Sequence, residues 1–159
     1  MINFTDADVD NLETLFKNRG YQPKETHIER RNFRYYALPP EINPELPDFI
    51  LRITNNSSKR YVIGVSTDVP PIIRDYFALA EYIEFLELGL DIEGRVAKAE
   101  EIVLGLLEPP LKSIYVQRKL RLFRKELELD QLNPQKYCLE DEGRREFLRA
   151  IDCLENKLD

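Results

Sequence analysis

Apolar residues along this chain recur first at helical spacing, then in alternation, then at helical spacing again. Val9, Leu12, Leu15 and Phe16 follow Thr5-Asp6-Ala7-Asp8, an oxygen-bearing residue with a carboxylate three positions on, and Gly20 closes the stretch. That pattern predicts a helix over residues 6–18 with a capping box at its start. From 26 to 38 the period falls to two, with Phe33, Tyr35 and Ala37 on one side of a strand and Arg34 and Tyr36 on the other. Pro39, Pro40, Pro44 and Pro47 then fill a stiff, extended loop. Phe49, Leu51 and Ile53 alternate with Arg52 and Thr54, Asn55-Asn56-Ser57-Ser58 is turn chemistry, and Tyr61, Ile63 and Val65 supply a partner strand. This is a hairpin pattern. Three strands without an intervening helix predict an antiparallel meander.

The rest reads as helix. Pro70-Pro71 suits the first turn of a helix over 70–88 that Gly89 ends. Asp91 can cap a helix over 92–107, Pro109-Pro110 starts one over 110–132, and residues 141–158 carry the stripe Phe147, Ile151, Leu154 and Leu158. The expectation is an α+β chain: an N-terminal helix, a three-stranded antiparallel meander, and four helices packed on or beside the sheet. It forms one domain over 1–159, with helix plus sheet in 6–66 and the helical part in 67–159.

Composition narrows the function classes. With 159 residues, 43% hydrophobic and 33% charged, the chain is globular rather than disordered. No apolar run approaches the ~20 residues of a spanning helix. The N-terminal stretch is acidic and lacks the basic region and apolar core of a signal peptide. A cytoplasmic protein that does not enter a membrane is expected. Cys138 and Cys153 have neither metal-ligand nor redox spacing, and His27 is the lone histidine, so no multi-histidine metal site can be built. No metal and no cofactor are therefore expected.

Candidate chemistry clusters on the predicted helix 70–88, where Glu81, Glu84 and Glu87 stand among bulky apolar residues. Glu84 falls nearest the apolar face, where burial would suit it to acid–base work or metal ligation. Within the same region, Ile63 through Ala80 resembles the strand-and-helix entry of small zincin-type metallopeptidases. Aligning Phe77-Ala78-Leu79-Ala80 puts Glu81 and Phe85 where the zinc histidines would stand and Tyr82 at the catalytic glutamate. Shifting by one places Glu81 on the glutamate, with Ala80 and Glu84 at the histidines. The resemblance is confined to this segment and implies a scaffold without zinc, which argues against peptidase activity.

Two other segments offer contact chemistry. Arg30, Arg34 and Tyr36 on one strand would present guanidinium groups and a ring to single-stranded nucleic acid, though a net charge of -6 works against it. The predicted helix 110–132 carries two apolar stripes, Leu111, Tyr115, Leu122 and Leu129 on one side and Val116, Leu120, Phe123 and Leu127 on the other. Six bases and no acid lie in residues 109–125, after eight acids in 81–108. A two-striped helix packs between two layers, the second being the last helix folded back or a second subunit. Arg118, Leu120, Arg121 and Phe123 are the expected contact residues of a non-catalytic protein-interaction or regulatory module, with a protein partner or self-association. An enzyme or metal binder using the glutamates, and the nucleic-acid binder, are the alternatives.

Overall fold

The computed structural model describes residues 4–157, so Leu158, the last member of the final predicted stripe, lies outside the described residues. The chain forms two compact units, residues 1–89 and 90–159.

The first unit is a four-stranded sheet with one helix on each face. Helix α1 (Asp6–Asn18) begins with the predicted capping box: Thr5 accepts from the Asp8 amide, and Asp8 accepts from the Thr5 amide at 2.8 Å. Strands β1 (Pro23–Ile28) and β2 (Arg31–Leu38) form a hairpin whose turn places Glu29 at φ 57°. The single strand expected over 26–38 is thus two. Strands β3 (Ile50–Asn55) and β4 (Arg60–Ser66) form the expected second hairpin. The order is β1-β2-β4-β3, with β2 and β4 parallel and the other pairs antiparallel.

This corrects the three-stranded antiparallel meander. The proline loop is long enough to step past one strand, so β4 inserts between β2 and β3 instead of following β3 at the edge. The end of β4 is clasped on both sides: Thr67 N–H donates to Leu38 O at 2.8 Å and Ser66 N–H to Phe49 O at 3.0 Å. Ser66 Oγ also donates to Pro47 O in the loop itself. Gly64 of β4 faces the side chains of Leu38 and Leu51, which occupy the space a Cβ would need.

Helix α2 (Pro71–Tyr82) covers the face carrying Phe33, Tyr35 and Tyr61. Tyr82 stacks on Phe33 at 5.7 Å and meets Tyr61 edge-on, and the Tyr35 hydroxyl donates to Asp75 at 2.5 Å. Helix α1 covers the opposite face, with Phe16 against Tyr36 at 5.1 Å. After Tyr82 the backbone widens into a π-helical segment, Ile83–Leu88, closed by the i→i+5 bond from Gly89 N–H to Glu84 O at 3.1 Å. Gly89, at φ 87°, ends it.

The second unit is helical. Helix α3 (Arg95–Leu104) starts later than the sequence suggests, because Gly94 rather than Asp91 occupies the N-cap position, at φ 73°. The Gly94 amide donates instead to Glu146, distant in sequence. Helix α4 (Pro109–Leu132) starts on its two prolines and ends at Asn133, whose side chain caps the short helix α5 (Pro134–Tyr137). Cys138 and Glu140, both at positive φ, turn the chain into α6 (Glu140–Glu155), which packs on α3 and α4. Asp130 pins this corner, accepting from Leu139 N–H at 3.0 Å and from Arg144 Nε at 2.7 Å. Among the described residues, no helix is long and apolar enough to cross a membrane.

Candidate functional site

The three candidate glutamates, all in the first unit, do not come together as a cluster among the described residues. Glu81 pairs with Arg52 of β3 at 3.6 Å, and that guanidinium lies flat on the Phe85 ring at 3.2 Å. Glu87 takes both ends of Arg31 at the start of β2, at 2.6 and 3.1 Å. Glu84, the most deeply buried of the three at 8% exposure, lies between them in the π-helical segment. The wider winding there separates side chains that α-helical spacing would align. Among the described residues no three His, Cys, Asp or Glu side chains come together as a metal ion would require.

The strand proposed for nucleic acid does not present its three residues together. Arg30 is in the β1–β2 turn, exposed and off the strand. Arg34 reaches across to Glu13 of α1 at 3.2 Å. Tyr36, at 1% exposure, is a core residue whose hydroxyl donates to Glu13. The alternation placed Tyr36 opposite the core face, and α1 turns that second face into core as well. Burial, reinforced by the Glu13 carboxylate, pushes the Tyr36 phenol up to about 12.

In the second unit, the second stripe of α4 is largely covered. Leu120 and Phe123 are 3% and 5% exposed, and Phe123 meets Phe147 of α6 at 5.0 Å. The helix folded back accounts for that contact. Arg118 is half-buried and Arg121 exposed, while much of the basic run is neutralised locally, Arg124 by Glu155 at 2.8 Å and Lys125 by Glu128 at 3.3 Å.

Lys119, one of the six bases in 109–125, is 1% exposed and pairs with the equally buried Glu100 of α3 at 3.1 Å. Tyr115 donates its hydroxyl to the other Glu100 oxygen at 2.5 Å, and the Lys119 ammonium lies near the Tyr115 and Phe123 rings. The signal was present: Tyr115, Lys119 and Phe123 stand four apart on one face, and Glu100 stands among Val96, Ala99 and Val103.

Where α4, α5 and α6 meet, the stripe of α4 runs out of cover. Leu127, Gln131, Pro134, Arg144 and Leu148 line a largely apolar groove of about 480 Å³, with Asp130 at its base. Leu148 is 58% exposed and Leu132, at the end of α4, 74%. No family model matches the chain, and neither a curated protein nor a solved structure matches it. The groove is the arrangement in the helical unit best suited to contact, because it offers apolar surface to solvent beside a rigid corner. Its residues were partly legible: Leu127 closes the predicted second stripe, whereas Leu148 falls outside the Phe147 stripe of the last helix.

Proposed function

We propose that this chain is a non-catalytic protein-interaction module whose contact surface is the groove between α4 and α6. The observation that carries the reading is the apolar lining of about 480 Å³ that leaves Leu148 more than half exposed. A leucine 58% exposed leaves apolar surface in water, and covering that remainder contributes roughly 1–2 kcal/mol. The Asp130 bonds to Leu139 and Arg144 hold the groove walls in place, so a partner meets a preformed surface and loses little to ordering. In the first unit, Glu81 and Glu87 are engaged by arginines and Tyr36 is buried, which gives the enzyme and nucleic-acid alternatives less to stand on.

The test is photo-crosslinking in the native cell with p-benzoylphenylalanine in place of Leu148. A discrete adduct, identified by mass spectrometry and lost when Leu127→Glu is added, supports docking. Its mass distinguishes a second copy of the chain from another protein. A folded protein that gives no adduct at position 148 refutes the reading.

A further inference from the structure

On another face of α6, residues 142, 145, 146 and 149 line a separate cavity of about 190 Å³, closed on the other side by Leu90, Asp91, Ile92 and Glu93. Four residues at this spacing share one side of a helix. The size is below that of drug-sized sites. We propose that this cavity binds a small aliphatic amino acid as its zwitterion.

The wall is chemically divided. Glu146, 5% exposed, accepts the Gly94 amide on Oε2 at 3.0 Å, but its Oε1 has no hydrogen-bond donor. The nearest cation, Arg95 Nη1, stands 3.9 Å from Oε1, beyond hydrogen-bond reach. A buried carboxylate oxygen without a donor is costly, and a ligand ammonium removes that cost. Glu146 is itself one of the residues lining the cavity. Asp91 lines the same space and makes no ion pair among the described residues.

A plain amine would be opposed by the arginines of α6. Arg149 is engaged by Glu93 at 2.8 Å, but Arg145 has no ion pair among the described residues and is exposed at the wall. A carboxylate on the same ligand meets that guanidinium, which donates to such groups in two-point fashion. Leu90 and Ile92, the latter 37% exposed, give the apolar side against which an aliphatic side chain packs. Ammonium, carboxylate and short aliphatic chain thus each have a matching wall.

The test is a titration of the isotopically labelled chain, followed by amide NMR, with L-leucine, 3-methylbutylamine and 4-methylpentanoate. The expected result is saturable shifts at Gly94 and along α6 with L-leucine, and affinity lower by roughly tenfold or more for each single-charge analogue. Glu146→Gln keeps an acceptor for the Gly94 amide and removes the charge, so L-leucine binding falls by a similar factor. Arg145→Ala, at an exposed position where folding is unaffected, weakens L-leucine and strengthens the amine, because the repulsion between the ammonium and the guanidinium is removed. Absence of saturable shifts at millimolar L-leucine overturns the proposal, as does an amine that binds as well as L-leucine, or either variant binding like the parent. The cavity and the α4–α6 groove share no lining residue, so failure here leaves the docking reading standing.

Discussion

Replacing Lys119 with methionine tests the energetics of the helical unit at its most exposed assumption, that a buried charge pair is held there by balance. Lys119 and Glu100 are each 1% exposed and 3.1 Å apart, with Tyr115 donating to the second Glu100 oxygen. Methionine fills most of the lysine volume, so the loss is electrostatic rather than a cavity. It strands a carboxylate in the core, which costs about 3–5 kcal/mol. The Tyr115 bond already exists in the parent protein and offsets none of this. Against a total stability of ~5–15 kcal/mol, the single change lowers the melting midpoint of a unit this size by roughly 12 °C or more. Lys119→Met combined with Glu100→Gln removes both charges and keeps an acceptor for Tyr115, and it is expected within about 1 kcal/mol of the parent. Because two compact units can unfold separately, amide hydrogen exchange along α4 is the assay, supported by urea unfolding. A single variant within about 1 kcal/mol of the parent, or a double variant no better than the single, refutes the argument.

Two further outcomes follow from the sheet unit. Gly64→Ala puts a Cβ 2.6 Å from Leu38 Cδ1 and 2.9 Å from Leu51 Cγ, and overpacking of this kind costs about 1–3 kcal/mol, read as a lower urea midpoint at unchanged slope. The Tyr36 phenol is raised by burial and Glu13 to about 12. Its neutral form is therefore favoured in the folded state, its contribution is complete below the unfolded value of about 10, and it is lost as pH rises from there toward 12. Tyr35, raised by burial and by Asp75, acts in the same direction. Stability measured from pH 9 upward falls in the parent and falls less in Tyr36→Phe. Equal slopes in the two proteins would show that Tyr36 carries no such linkage.

The elements were legible where local chemistry decided them. The Thr5–Asp8 box, the Asn55–Ser58 turn and the break at Asn133-Pro134 involve residues close in sequence, and each has its expected place. The pairing of β4 with β2 was not legible, because neither strand's periodicity states which neighbour it will take. Tyr36 shows the same limit from the other side. Alternation identifies two faces, but only the placement of α1 makes the second one core, and a tyrosine read as a stacking platform becomes a buried residue bonded to Glu13.

Charges were misread for a related reason. Helical spacing aligns Glu81, Glu84 and Glu87 on one flank, yet the winding changes to π after Tyr82, and arginines of β3 and β2 take Glu81 and Glu87 separately. Composition treats Lys119 as one of six bases in 109–125 after eight acids in 81–108, which does not say which of them is buried. Its neighbours on the helix surface, Tyr115 and Phe123, say otherwise, since a lysine four residues from two buried rings must bring an acid with it or leave the core. That acid, Glu100, stands among apolar residues of the preceding helix. Each is improbable as a buried charge alone, and the two together satisfy one another. The α4–α6 groove is the complementary case, where Leu127 at the end of the second stripe and Leu148 of α6 keep apolar surface exposed. Buried charge marks where these helices must stay together, and uncovered leucine marks where their packing leaves apolar surface to solvent.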